Sequence, residues 1–242
     1  MRARERFGTV IFDCDATLSE IEGIKELGRE HRIEIEALTE AAMSGQLPLE
    51  DVYGRRLGLA RPSRARVDEV GYQYVDRLVP DARDVVRALQ VAGVDVRIVS
   101  TGVLPAVLIL ARALDLPPDR VAAVGLEFSD DGSFRDFDHA SPLPMSGGKV
   151  RAIREWGRAL RRPVMMVGDG ATDLETRPVV DLFVAFAGVS ARPAVMAAAD
   201  VVIRQRSLAP VLPLALERAP DSEPARSVYE RGLVMLNLNP SS

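Results

Sequence analysis

The chain has 242 residues, 47% hydrophobic and 27% charged, with a formal net charge of −4. That composition is ordinary for a globular protein and excludes wholesale disorder, and the length holds either one large domain or a core with a smaller insert. Acidic and basic residues are interspersed, without a basic stripe carrying interleaved aromatics, so nucleic acid is excluded as the expected partner.

Arg2, Arg4 and Arg6 open the chain and read as a solvated basic tail. The apolar run that follows, Thr9-Val10-Ile11-Phe12, is cut by Asp13. It is too short for an export signal or a membrane helix, so the expectation is a cytoplasmic protein with no membrane partner. Cys14 is the single cysteine, which rules out an intrachain disulfide or a cysteine-based zinc site and fits a reducing compartment.

Val10-Ile11-Phe12 reads as a buried strand ending at an acidic pair. Ser19 and Glu22 have capping-box spacing for a helix onward to about Glu30. From Ile33 to about Leu78 the pattern is helical, with Ala37, Leu38, Ala41 and Ala42 on one face and a turn at Gly45 and Pro48. An all-helical insert over residues 20–78 follows, leaving 1–19 and 79–242 as a core. After Pro80 the pattern alternates. A helix over Asp81–Val91 precedes a strand over Val94–Val99 that ends at Ser100. A helix over Pro105–Leu114 and a strand over Val121–Val124 come next, then a hairpin turning at Asp131-Gly132. A helix over Lys149–Leu160 leads to strands at 164–167, 182–186 and 201–203, the last two each followed by a helix. The fold class is therefore α/β: a doubly wound parallel sheet, with a small helical cap inserted after the first strand. The tail from about residue 220 is unassigned; Arg231–Leu238 reads as one further element or as a contact between two copies in a homodimer.

In such sheets the loops at the carboxyl ends of the strands converge on the ligand. Three of them here carry Asp13/Asp15, Ser100/Thr101 and Asp169/Asp173. Two carboxylates one residue apart repel each other unless a cation or a proton is shared, and a magnesium ion would relieve this. One aspartate could then attack phosphorus while the other protonates the leaving oxygen. Taken singly, the pair could equally cap a helix or sit solvated. Gly168-Asp169-Gly170-Ala171-Thr172-Asp173 adds carboxylates for the same ion. Gly147-Gly148-Lys149 offers a cation and backbone amides to a phosphoryl group, unless the lysine is solvated. His139 reads as a surface residue.

These four segments, in this order, resemble the motifs of the haloacid dehalogenase-like phosphatase superfamily. The stretches Phe12–Leu18, Ser146–Lys149 and Val167–Glu175 are similar to its phosphoserine phosphatase family. The resemblance implies a metabolic hydrolase acting on a small phosphorylated metabolite. Asp13 would be the nucleophile and Asp15 the general acid. Mg2+ would be held by Asp13, the Asp15 carbonyl and Asp169, with Asp173 supporting the ion's surroundings. Phosphate would be bound by Ser100, Thr101, Gly102 and Lys149. It further implies that Glu22 meets a substrate ammonium, Met43 and Gly45 line the pocket, and Arg56 clamps a substrate carboxylate, with Thr172 and Arg192 at substrate-contacting positions. Glu22 also fits the capping box, and Arg56 also fits a surface site. Ala16, Leu49 and Thr101-Gly102-Val103 depart from the family pattern and bear on substrate identity. Two alternatives stand beside hydrolysis of phosphoserine: a phosphotransferase passing phosphate to an alcohol such as homoserine, and a phospho-aspartate receiver-like switch.

Overall fold

The structure is a computed structural model and describes residues 6–43 and 47–237. Its centre is strand β1 (Thr9–Phe12), every residue of which is buried. Around it a six-stranded sheet assembles from β2 (Asp95–Val103), β3 (Val121–Val124), β6 (Val164–Gly168), β7 (Leu182–Phe186) and β8 (Val201–Ile203). The spatial order is β3-β2-β1-β6-β7-β8 and each pairing is parallel. A parallel sheet is covered on both faces, which is why its strands read as continuous apolar runs such as Phe183–Phe186. Two short antiparallel strands, β4 (Leu126–Phe128) and β5 (Phe134–Phe137), form a separate hairpin.

Between β1 and the core helix α5 (Ala82–Ala92) the described chain is helical: α1 (Gly23–Leu27), α2 (Arg32–Met43), α3 (Leu49–Ala60) and α4 (Arg64–Asp76). The segments entering and leaving this region are zipped together. Ser19 bridges Leu78, the Glu20 amide donates to the Arg77 carbonyl, and the Val79 amide donates to the Leu18 carbonyl. The remaining helices are α6 (Leu104–Ala113), α7 (Gly148–Trp156), α8 (Ala171–Leu174), α9 (Pro193–Ala198), α10 (Val211–Ala215) and α11 (Ala225–Asn237). No helix among the described residues is long and apolar enough to cross a membrane.

Three sequence expectations are corrected. Ser19 does not cap a helix: it is extended, its hydroxyl donates to the Arg77 carbonyl, and α1 begins after Glu22 with no side-chain cap bond. The returning chain takes up the Ser19 hydroxyl and the local turn takes up its amide. Strand β2 runs on through Ser100 to Val103, with a register shift against β3 between Val99 and Val103. Asp131-Gly132 lies inside a longer loop closed by the Ser129 amide on the Ser133 carbonyl, with Gly132 at φ 81°. The tail forms α11, tied to the core by Arg231, whose guanidinium donates to Asp81 at 2.6 Å.

Candidate active site

The sheet order reverses between β1 and β6, one half of the chain running outward one way and the other half the opposite way. Loops leaving adjacent strands there diverge and open a crevice. Asp13 leaves β1 and Asp169 leaves β6, so the topology alone sets these two carboxylates side by side.

After Asp13 the chain makes one wide turn over Cys14–Leu18, closed by the Ser19 amide on the Cys14 carbonyl at 3.0 Å. Within it Ala16 takes the left-handed conformation, φ 51° and ψ 12°, which costs an L-residue on the order of 1–3 kcal/mol and turns the backbone immediately after Asp15. Asp13 Oδ1 accepts from the Cys14 amide at 2.7 Å and faces the Lys149 ammonium at 2.8 Å. Lys149, at the start of α7 and 1% exposed, also donates to Asp173 Oδ1 at 2.6 Å. Asp173 Oδ2 accepts from the Gly170 amide at 2.9 Å. This close approach needs Gly168, because a β-carbon there would overlap the Asp173 carboxyl. Asp169 Oδ2 accepts from Arg192 at 3.2 Å.

Carboxylate oxygens of Asp13, Asp169 and Asp173 all lie within 4.8 Å of one another, and all three residues are buried. Three carboxylates thus face one buried ammonium and one partly exposed guanidinium, an excess of negative charge removed from water. The electrostatic response follows. Burial, then the neighbouring Asp173, pushes the Asp13 carboxyl well above its ordinary range, against the pull of Lys149. Burial and then Asp173 raise Asp169 to about 7. Burial alone would lower Lys149, but Asp13 and Asp173 outweigh it and hold the ammonium above its usual value. A hard divalent cation answers this imbalance: an all-oxygen donor set with surplus negative charge is the kind that holds magnesium.

The Asp15 carboxyl stands apart from that acidic group. Its Oδ1 accepts from the Gly23 amide at 2.6 Å and from the Tyr74 hydroxyl at 2.7 Å. Burial raises its pKa, and these two hydrogen bonds only partly offset that.

Residues 7–176 match the family described as haloacid dehalogenase-like hydrolase. The chain belongs to the haloacid dehalogenase-like hydrolases. It is 36% identical over 199 residues to the chloroplastic phosphoserine phosphatase of Arabidopsis thaliana, covering 80% of this chain and 68% of the relative. It is 36% identical over 182 residues to the phosphoserine phosphatase of Mus musculus, covering 74% and 81%. Among solved structures, a phosphoserine phosphohydrolase-like protein from Francisella tularensis superposes with a TM-score of 0.73 at 26% identity, covering 81% of this chain and 95% of that one.

In this hydrolase the pocket over the carboxylates is lined from both the sheet loops and the helical segment. Asp13, Asp15, Thr101, Gly102, Asp169, Thr172 and Arg192 contribute from the former, and Glu22, Thr39, Tyr53 and Arg56 from the latter. Arg56 is 8% exposed. One of its terminal nitrogens donates to Thr39 at 3.3 Å, while its buried Nε has no hydrogen-bond partner among the described residues. Burial lowers its pKa. Glu22 is paired with Lys25 at 3.0 Å. Ser100 is fully buried behind the lining, where its hydroxyl accepts from the Gly102 amide at 2.9 Å. Gly45 and the Met43 side chain lie outside the described residues. His139 is exposed, 3.0 Å from Asp136 and stacked on Phe137, as a surface histidine would be.

Sequence reasoning missed Tyr74 and Tyr53. Both are helical residues in an apolar pattern, where an aromatic reads as core. Only the folded positions reveal that one reaches Asp15 and the other, standing on Phe137 with ring centroids 5.3 Å apart, walls the pocket.

Proposed function

We propose that this chain is a magnesium-dependent phosphatase that hydrolyses O-phospho-L-serine through an aspartyl-phosphate at Asp13. Residues 1–19 and 79–242 serve as the catalytic core and residues 20–78 as a helical cap over it. The observation that carries the reading is the buried cluster of Asp13, Asp169, Asp173 and Lys149 opening onto a pocket that Arg56 lines. A substrate carboxylate in that pocket would meet the Arg56 guanidinium through charge-assisted hydrogen bonds.

Asp13, Asp169 and the Asp15 carbonyl would hold Mg2+, which supplies charge neutralisation for the carboxylates and the phosphoryl oxygens. Asp13 Oδ1 is engaged by Cys14 and Lys149, so Oδ2 is the attacking oxygen. As the bond from Oδ2 to phosphorus forms, the ester P–O bond breaks with its electron pair on the leaving oxygen. Asp15 gives that oxygen its proton. Asp15, now a carboxylate, takes a proton from the water that attacks the phosphoryl group, and the P–O bond to Asp13 breaks to restore the carboxylate. Lys149 holds Asp13 in place and offsets charge on the transferring group. Thr101, Gly102, Ser100 and Lys149 form the phosphate side of the site. Glu22 receives the substrate ammonium, Arg56 its carboxylate, and Thr172 and Arg192 complete the wall.

The relatives named phosphoserine phosphatase support this substrate. The test is a panel of phosphate monoesters with magnesium, on wild type and Asp13→Asn, with and without alcohols such as homoserine. O-phospho-L-serine leads the panel and free phosphate is the product. Preferential phosphorylation of the alcohol would instead establish a phosphotransferase, and a phosphoprotein persisting for minutes would establish a switch.

A further inference from the structure

The helical segment contributes one side chain to the core's acid–base residue. Tyr74, on α4, is fully buried, and its hydroxyl donates to Asp15 Oδ1 at 2.7 Å. It fits there because Gly23 has no side chain: a β-carbon at Gly23 would overlap the Tyr74 hydroxyl. Helix α4 is itself held tightly, with Gly71 packed against Ile109 of α6. Burial raises the Tyr74 pKa, keeping the hydroxyl protonated and able to donate.

The two oxygens of Asp15 are thereby made unequal. Oδ1 receives two donors, the Gly23 amide at 2.6 Å and Tyr74. An oxygen accepting two such bonds has no room for a proton of its own. Oδ2 lies on the other side, beside Gly102: a β-carbon there would come within 3.1 Å of both Asp15 Oδ2 and the Ser100 hydroxyl. Oδ2 therefore faces the strand end that carries Ser100, Thr101 and Gly102.

We propose that Tyr74 is a positioning residue for catalysis, fixing the Asp15 carboxyl so that Oδ2 is the atom that delivers the proton to the leaving oxygen and later withdraws one from water. The proposal rests on the phosphatase reading above. In the first step the Oδ2–H bond breaks, the proton joins the departing ester oxygen, and the phosphoryl group passes to Asp13. Without Tyr74 the carboxyl can rotate and its proton can sit on either oxygen. Proton delivery suffers, whereas attack by Asp13 does not.

That asymmetry gives a readout which a purely structural role would not move. A general acid contributes about 10²–10⁴-fold, and only where the leaving group needs a proton. The experiment measures kcat/KM with magnesium chloride for wild type, Tyr74→Phe and Tyr72→Phe. The substrates are phenyl phosphates of graded phenol acidity, together with O-phospho-L-serine. Tyr72, 64% exposed on the same helix, is the control. Tyr74→Phe keeps the ring and deletes one oxygen, and its melting curve checks the fold. The expected result is 4-nitrophenyl phosphate within about twofold of wild type, and a loss that grows with phenol basicity. It reaches about tenfold or more for the alkyl ester, while Tyr72→Phe matches wild type throughout. A uniform loss across the series, or none at the alkyl end, in an active wild type overturns the role of Tyr74 alone. A wild type that turns over no monoester overturns the phosphatase reading and this proposal with it.

Discussion

The Lys149 ammonium lies 2.8 Å from Oδ1 of Asp13, both side chains being almost wholly removed from water. A pair at this depth is asymmetric in its energetics. Removing one partner strands the other charge and costs about 3–5 kcal/mol, more than the intact pair contributes. Lys149→Met should therefore lower the melting temperature by several degrees. It should also reduce kcat by about 10²-fold or more, because in the proposed mechanism the same ammonium offsets charge on the transferring phosphoryl group. Thermal melts and steady-state kinetics check both; a variant as active as wild type would refute the assignment.

Asp13→Asn replaces the attacking oxygen with an amide nitrogen of negligible nucleophilicity while keeping the shape. Turnover should fall below detection with the fold retained. Acid-quenched wild type should carry a phosphoryl group on the peptide containing Asp13, visible by mass spectrometry, and the variant should not.

The pH dependence of stability follows from Asp169. Burial and Asp173 raise its pKa to about 7, whereas an unfolded aspartate titrates near 3.9. Between those values the native protein binds more protons than the unfolded chain, so stability is greatest below the lower value and falls as pH rises through the upper one. The window is worth on the order of 4 kcal/mol for this group alone. With chelator present, the melting temperature should be lower at pH 8 than at pH 5.5. Added magnesium should raise it more at pH 8, where Asp169 is ionised, and Asp169→Asn should lessen the dependence, the raised Asp13 and Asp15 carboxyls leaving the remainder. Equal magnesium shifts at both pH values would contradict an ion bound by these residues.

Arg56→Ala tests the substrate contact. A charge-assisted hydrogen bond is worth about 1.5–3 kcal/mol, so KM for O-phospho-L-serine should rise roughly 10- to 100-fold with kcat little changed. O-phosphoethanolamine, lacking the carboxylate, should be affected less than about twofold. Equal effects on both would remove Arg56 from the substrate's carboxylate.

The core of the site was legible in the sequence because strand-end carboxylates are local facts. An apolar run followed by Asp13, and another by Gly168-Asp169, already imply parallel strands delivering acids to one edge. What was not legible depended on chain crossings. Ser19 reads as a cap until Leu78 is known to lie beside it. Ser100 reads as the end of β2, yet the strand continues to Val103 and buries that hydroxyl behind Gly102. Tyr74 is 59 residues from Asp15, with nothing in its own helix to set it apart from Tyr72. The pairing of Tyr53 with Phe137 likewise joins a helix to a distant hairpin.

Strand β1 sits between β2 and β6, and its second neighbour is separated from it by some 150 residues of chain. During synthesis Asp13 is thus made well before Asp169, and one flank of its strand stays bare until Val164–Gly168 emerges. Helices and hairpins close to one another in sequence can form in the meantime; this long-range parallel seam cannot, and such late pairings slow folding. The carboxylate cluster therefore cannot close until Asp173 has been made, and a nascent chain stopped short of that residue would lack the proposed site however much of it had folded.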